Sequence, residues 1–348
     1  MNILDHCEII GSTSDDEHSN ARWLELRTHG IGGSEVAALA GLNPWKSPLA
    51  VYLEKTGQGM ETPDNEAMEA GRDLEPVILK RLQRNLPKLA EMGVNTDGLP
   101  TNGIVVPGSA LYRSSDHPLM LATLDGFLCD ADNPETGIFE NTLSHEPIAG
   151  IEAKTCGERS AHQWDEGVPD YYLTQVYHYM AVTGLRIFLV PVLIGGREFK
   201  VFRVDYDEEV CNRLIELEEK FWKDHVLARV PPMAGSCDRT ALDFMFPASS
   251  TKPEPVSLPD EAEAILQAFL RAREEEKAQG LAKDCAANRL KQMMGDAETA
   301  FCGTERISWK AQVTKRLDSD RLKRERPEIV KEFTVEKASR VFRVAENK

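Results

Sequence analysis

The stretch Ala149–Gly157, AGIEAKTCG, sets a carboxylate and an ammonium two residues apart, Glu152 and Lys154, inside an otherwise apolar segment. Side chains two apart on a β-strand point to the same face, so a strand here would present opposite charges side by side. Upstream, ATLDGF places Asp125 among apolar residues just before a glycine. Two carboxylates brought together on adjacent strands repel unless a cation lies between them. Hard oxygen ligands with coordination positions to spare suit Mg²⁺, with Mn²⁺ an alternative. Such a metal polarises a phosphoryl oxygen and helps generate hydroxide from bound water, while a neighbouring lysine orients or deprotonates that water and stabilises developing charge. Aspartate followed by Glu-x-Lys therefore has a chemical reason in phosphodiester hydrolysis. Asp125 and Glu152 would hold metal, the backbone carbonyl of Ala153 would be a further ligand, and Lys154 would serve the water. Glu-x-Lys by itself is equally what an exposed strand carrying a surface ion pair shows.

The elements that must position these groups can be read along the chain. RWLELRTHGIGGSEVAALAGLNPW (22–45) reads as helix, glycine loop, helix and turn, with Ser34 placed as an N-cap and Glu35 in the first turn, where the helix dipole favours it. SPLAVYLEKTG predicts a short helix closed by Gly57, and NEAMEAGRDLEPVILKRLQRNL has helical spacing, adjusted near Pro76. Strand signals follow in GIVVPG, LMLATLDGFLCD and IAGIEAKTC. DYYLTQVYHYMAVTG returns to helical spacing, two apolar runs about Gly195-Gly196 predict a β-hairpin, and DEEVCNRLIELEEKFWKDHVLARV predicts an amphipathic helix.

Three regions result. Residues 1–20 are polar and read as a flexible N-terminal arm, residues 21–250 as a globular α/β domain, and residues 251–348, beyond a Pro- and Ser-rich break, as a helical and β-hairpin appendage. The appendage closes on a further strand candidate, ASRVFRV, and its KRLDSDRLKRERPE segment either touches DNA or, as mixed charge usually does, forms a solvated helix face.

The chain has 41 Lys and Arg against 57 Asp and Glu, a net charge of -16. That argues against a protein that coats nucleic acid non-specifically, which needs many Lys or Arg contacts to phosphate, but not against a nuclease with an acidic metal site in a locally basic groove. Seven scattered cysteines without a C-x-x-C pair disfavour a zinc ribbon or a disulfide framework and point to reduced thiols. No basic and apolar leader opens the sequence and no run approaches a membrane span, so cytoplasm, of a bacterium or of a phage-infected host, is the expected compartment and no membrane partner is expected.

Five segments in order, RTHGIGGSEVAALAGLNPWKSPLAVYLEKTG, AGRDLEP, ATLDGF, IEAKT and WDEGVPDYYLTQVYHYMAVTG, resemble the YqaJ-type viral recombinase family over roughly residues 21–230. That family is similar to the lambda exonuclease branch of the PD-(D/E)XK nuclease superfamily. The resemblance implies a restriction-endonuclease-like core, a mixed central β-sheet flanked by helices. It implies a Mg²⁺-dependent exonuclease acting on double-stranded DNA ends, 5′ to 3′, beside a single-strand annealing protein, with a homo-oligomer expected by similarity to the ring-forming exonuclease. Carried over to this sequence, Glu75 of GRDLEP lies at the active-site edge, Asp125 and Glu152 are the metal carboxylates, Lys154 is the catalytic lysine, and Gln175 matches a glutamine on the helix that follows. Gln175 and Tyr179, four apart, would share a helix face. The amide would position Lys154 or the scissile phosphate, whereas Tyr179 reads as core and His178 as structural. Arg27 and Ser34 match the family's first motif, where the hydroxyl, free backbone amides and the guanidinium suit a 5′-terminal or backbone phosphate. No cysteine set for an iron–sulfur cluster is present, so none is expected. Trp164 reads as structural, and Trp45 as either base-stacking or core. An endonuclease with the same site, and a DNA-binding recombination protein with a vestigial site, are the alternatives.

Overall fold

The computed structural model describes residues 3–12, 17–59, 65–100, 102–131, 138–139, 142–143, 147–248, 254–335 and 340–345. The chain separates into two compact units, residues 1–247 and 248–348. The boundary expected at residue 250 falls within 249–253, outside the described residues.

The first unit runs β1 (Cys7–Ser12), α1 (Glu17–Thr28), β2 (Ile31–Gly32), α2 (Gly33–Leu39), α3 (Pro48–Lys55), α4 (Glu66–Asn85), β3 (Gly103–Pro107), β4 (Ala110–Ser114), β5 (Met120–Ala122) and β6 (Gly126–Asp130). A small hairpin, β7 (Ile138–Phe139) and β8 (Thr142–Leu143), precedes β9 (Ala149–Ile151), β10 (Lys154–Cys156), α5 (Asp170–Thr183), β11 (Ile187–Ile194), β12 (Glu198–Asp205), α6 (Glu208–Phe221) and α7 (Arg239–Met245). This is a mixed α/β architecture.

The main sheet explains where the carboxylates sit. Strands β9 and β10 lie parallel to β11 along one edge of it and in one register, with Gly150 opposite Phe188, Ile151 opposite Leu189, and Lys154 opposite Val192. They are two halves of one strand, opened at Glu152 and Ala153. Strand β6 pairs antiparallel with β9 and stops at Gly126, opposite Ile151, so Asp125 stands where the next pair would form. Strand β3 completes that side, and β12 forms the expected hairpin on the far edge of β11 through Gly195 and Gly196, both with positive φ.

Alternation along these strands feeds two cores. Phe127, Phe188, Val190 and Val192 pack with Val176 and Met180 of α5, and Leu128, Ala149, Ile151 and Leu189 pack with Leu79 and Leu82 of α4. Each of the larger side chains among them, Ala149 excepted, contributes roughly 1.5–3 kcal/mol on burial. Glu152 and Lys154 have the parity of Gly150, so both project toward α5. Gly150 itself is required by packing, because a Cβ there would lie 2.3 Å from the Phe188 ring.

Two expectations for the first unit need correction. The N-terminal arm is not wholly loose: β1 pairs antiparallel with β4 in a second sheet, ordered β1-β4-β5-β2, and Ile3 and Cys7 are buried, because the apolar CEII run finds a strand edge that composition alone does not reveal. Ser34 is not the N-cap of α2. Gly32 holds that position in extended backbone, and the Glu35 carboxylate accepts the Gly32 N–H at 2.8 Å, half of a capping box. The short helix expected in SPLAVYLEKTG forms as α3, capped by Ser47, whose hydroxyl accepts the Ala50 N–H.

In the second unit α8 (Glu261–Met294) spans 34 residues with none buried. Strands β13 (Thr299–Cys302) and β14 (Glu305–Ser308) pair antiparallel, followed by α9 (Ser319–Glu325) and α10 (Pro327–Phe333). Residues 340–345 form no strand; Phe342 instead meets the Phe269 ring edge-on at 5.5 Å, exchanging a ladder for an aromatic contact. Among the described residues no helix is long and apolar enough to cross a membrane.

Candidate active site

The opening in the β9–β10 line is a consequence of Asp125. Just before β6 begins, the Asp125 side chain takes over from the backbone: Oδ2 accepts the Ala153 N–H at 2.7 Å. The Glu152 N–H still donates to the Leu189 carbonyl of β11 at 3.1 Å, so register is kept while the pairing to β6 is released. Glu152 and Lys154 thereby flank the point at which the strand comes free of one neighbour.

Glu152 Oε1 accepts two donors, Lys154 Nζ at 2.5 Å and Gln175 Nε2 at 2.7 Å. Gln175 also donates to the Tyr179 hydroxyl at 3.0 Å and accepts from Lys154 Nζ at 3.1 Å, which fixes the orientation of its amide. Lys154 Nζ lies 4.6 Å from the centre of the Tyr172 ring. One lysine thus has a carboxylate, an amide oxygen and an aromatic face around it. Glu152 Oε2 is buried with no hydrogen-bond partner among the described residues.

Charge accumulates at this point. Burial, then repulsion by Glu152 and Glu75, holds the Asp125 carboxyl well above the usual carboxylate range. Glu75, on α4 one residue before Pro76, is pushed up by burial and by Glu152, and Glu152 is pushed up by burial despite Lys154. Burial acts to lower Lys154, but the Glu152 and Asp125 carboxylates outweigh it and hold the ammonium above its ordinary value. A buried acceptor without a donor, among three carboxylates served by one lysine, is a place with an excess of negative charge.

That arrangement fits a hard divalent cation. Among the described residues no group of three or more His, Cys, Asp and Glu side chains has the geometry of a complete ligand set. A small number of protein oxygens, the rest being water and phosphate, is the usual Mg²⁺ arrangement.

A second cluster adjoins the first through a glycine. A Cβ on Gly33 would come within 2.5 Å of the Tyr179 ring and 3.0 Å of Gln175 Cγ, so α2 begins in direct contact with the α5 face carrying those residues. There Arg27 Nη2 donates to Ser34 Oγ at 3.2 Å. Glu35, buried beneath, bonds Lys55 at 2.8 Å and lies 3.6 Å from Arg27 and 3.9 Å from Lys46. Burial would raise the Glu35 carboxyl, but Lys55, Arg27 and Lys46 together hold it below its usual range. Lys46 is itself paired with Glu54 at 2.6 Å, so three cations and two carboxylates leave the cluster with a net positive charge.

Hydrogen bonds therefore join Asp125 to Ala153 and, one residue away along the chain, Glu152 to Lys154 and Gln175; Glu75 joins through its field, and Arg27 pairs with Ser34 in the adjoining cluster. Tyr179 is buried, yet its hydroxyl anchors Gln175, so it serves core and site together. Trp164 is buried, whereas Trp45 is 73% exposed and meets Tyr171 edge-on, outside the core. Sequence reading passed over Tyr172, whose signal is its place three residues before Gln175 on one helix face, and the hub role of Glu35, whose signal is only the capping-box position.

The sequence agrees with a known family. Residues 22–186 match the model of the YqaJ-like viral recombinase domain. Over 345 residues the chain is 28% identical to the YqaJ protein of Bacillus subtilis (strain 168), covering 97% of this chain and 98% of that protein. Among solved structures it is similar to an alkaline exonuclease, LHK-Exo, from Laribacter hongkongensis (18% identity, 60% of this chain and 94% of that one, TM-score 0.41). It is also similar to a phage-related exonuclease from Haemophilus somnus 129PT (9% identity, 57% and 96%, TM-score 0.36). Over residues 22–186, then, this chain is similar to the YqaJ-like viral recombinase domain.

Proposed function

We propose that the chain is a divalent-metal-dependent deoxyribonuclease that hydrolyses phosphodiester bonds at duplex DNA ends, 5′ to 3′, in phage-type homologous recombination. The observation that carries this reading is the carboxylate site itself: Glu152 offers one oxygen to Lys154 and Gln175 and leaves the other buried and unpartnered, beside Asp125 and Glu75. The match of residues 22–186 to the YqaJ-like viral recombinase domain supports the recombination setting, and an annealing protein that coats the exposed strand is the partner such a reaction calls for. Homo-oligomerisation belongs to the same reading.

Asp125, Glu152 and the Ala153 carbonyl would hold Mg²⁺, or Mn²⁺ in its place. When bound, such a cation supplies positive charge to a phosphoryl oxygen and acidifies water. The protein's own groups do the rest. Gln175 fixes Lys154 so that its ammonium points at the carboxylate edge, where it orients the attacking water and stabilises charge developing on the phosphate. Tyr172 closes one side of the lysine and limits competing solvent. Glu75, whose carboxyl is pushed up by burial and by Glu152, is placed to exchange a proton with water at the rim. Arg27 and Ser34, next to Gln175 across Gly33, offer charge and a hydroxyl to a terminal or backbone phosphate.

The test is Mg²⁺-dependent digestion of a linear duplex labelled separately at each 5′ end, alongside a covalently closed circle of the same sequence, with wild type and Glu152→Ala. Mononucleotide release from the linear DNA alone, lost in the variant, is the expected result. Cutting of the circle would replace the exonuclease with an endonuclease using the same site. No cutting of either, or undiminished cutting by Glu152→Ala, would overturn the assignment.

A further inference from the structure

Charge is divided unequally between the two units. Residues 1–247 hold 21 Lys and Arg against 39 Asp and Glu, whereas residues 248–348 hold 20 against 18. Within the second unit, residues 306–326 carry eight Lys or Arg and only three Asp or Glu. A catalytic unit so acidic repels a polyanion at long range, and sequence-independent attraction to nucleic acid comes from clustered Lys and Arg.

The structure shows how that basic segment is disposed. Two of its three carboxylates are engaged locally, Asp318 in capping α9 through the Arg321 N–H and Glu325 in an ion pair with Arg321. Arg306, Lys310, Lys315, Arg316, Lys323 and Arg324 are exposed and form no ion pair among the described residues. The hairpin leading into the segment adds an aromatic platform. Phe301 is 76% exposed and sits directly opposite Arg306, so ring and guanidinium share one outward face, while Trp309 at the end of β14 lies under Lys291 of α8 at 5.9 Å. A basic track following an exposed ring and arginine is the pairing that holds unstacked bases and their phosphates. A duplex, whose bases are already stacked, has no use for the ring.

We infer that the C-terminal unit is a binding surface for single-stranded DNA, with Lys315, Arg316, Lys323 and Arg324 on phosphates and Phe301 stacked on a base beside Arg306. Single-stranded DNA is what end resection leaves behind, so the choice of strand rests on the proposed function, while the cationic track does not.

The experiment is fluorescence anisotropy of the full-length chain with a labelled oligo-dT, in EDTA so that no cleavage intervenes, across a salt series. Removing four phosphate contacts in Lys315→Gln/Arg316→Gln/Lys323→Gln/Arg324→Gln should reduce the magnitude of the log Kd against log salt slope by about 3, at roughly 0.7 per contact. Phe301→Ala should weaken oligo-dT about 5- to 100-fold with the slope unchanged, and leave a blunt duplex of equal length unaffected. An unchanged slope and affinity in the fourfold variant would overturn the surface. Equal loss on duplex and single strand in Phe301→Ala would overturn the strand assignment. Because binding is read without metal, failure of the nuclease reading would appear only in the Mg²⁺ digestion.

Discussion

Replacing His178 by alanine should destabilise the first unit more than any ordinary surface change. His178 and Glu218 are completely buried and bonded to each other, Nδ1 to Oε1 at 2.9 Å, while His178 Nε2 donates to the Leu121 carbonyl of β5 at 2.8 Å. The ring thus ties α5, one turn after Gln175, to α6 and to the strand that leads to Asp125. With Glu218 ionised both partners are acceptors, and the fully bonded ring is then an imidazolium. Burial would lower its pKa, but the Glu218 carboxylate, the Leu121 carbonyl and more distant Glu35 hold it above the ordinary value; Glu218 is itself raised by burial, with His178 opposing and Glu35, then His117, acting at longer range.

His178→Ala leaves Glu218 as an uncompensated buried carboxylate, a loss of about 3–5 kcal/mol. For a unit of this size that is roughly 10 °C in Tm, taking about 2–4 °C per kcal/mol. Exchanging both members for leucine should restore most of the stability, because the buried charge is gone, and leave a deficit of about 1–3 kcal/mol for the Leu121 carbonyl without its donor. The assay is urea unfolding by tryptophan fluorescence in a Trp309→Phe background, where the other four tryptophans all report on residues 1–247. The pH dependence has a defined sign. A histidine raised on folding contributes stability that is complete below its unfolded pKa of about 6.5 and is lost as pH rises through the higher folded value; a raised glutamate acts in the same direction. Wild type should therefore weaken from neutral toward alkaline pH, and the double leucine variant less so. A loss below about 1 kcal/mol in His178→Ala, or a double variant as unstable as the single, would refute the uncompensated-charge reasoning.

Lys154→Ala should lower turnover by about 10²- to 10⁴-fold while duplex binding, measured in EDTA, is largely kept; near-normal turnover would remove Lys154 from the mechanism. Arg27→Ala should raise KM for 5′-phosphorylated ends about 10- to 100-fold, the range of a charge-assisted hydrogen bond, and leave 5′-hydroxyl ends unchanged. Gly33→Ala should cost about 1–3 kcal/mol by overpacking against Tyr179 and Gln175 and depress kcat, whereas Gly71→Ala, in an open part of α4, should stabilise by roughly 0.5–1 kcal/mol; both are read by denaturant titration. A thiol reagent at pH 8, followed by mass spectrometry, should modify exposed Cys237, Cys285 and Cys302 first, because burial pushes Cys7 and Cys211 up to about 12 and Cys129 up to about 11.

Much of this molecule is local and therefore legible in its sequence. The Gly195-Gly196 hairpin, the helix on Ser47 and Pro48, and the helix Asp170–Thr183 closed by Gly184 follow from turn residues, caps and periodicity, each set within a few neighbours along the chain. Spacing of two likewise placed Glu152 and Lys154 on one face. What the sequence could not supply was the partner of each group across space. Asp125 reaches the Ala153 amide 28 residues on, and Gln175 clasps Glu152 across 23, because sheet register decides which strand ends where and which helix lies over it. The burial of Glu35 among three cations, the pairing of His178 with Glu218, and the recruitment of Cys7–Ser12 as a strand were decided the same way. Desolvation and nonlocal pairing set the energy of those residues, and neither exists until the tertiary structure forms.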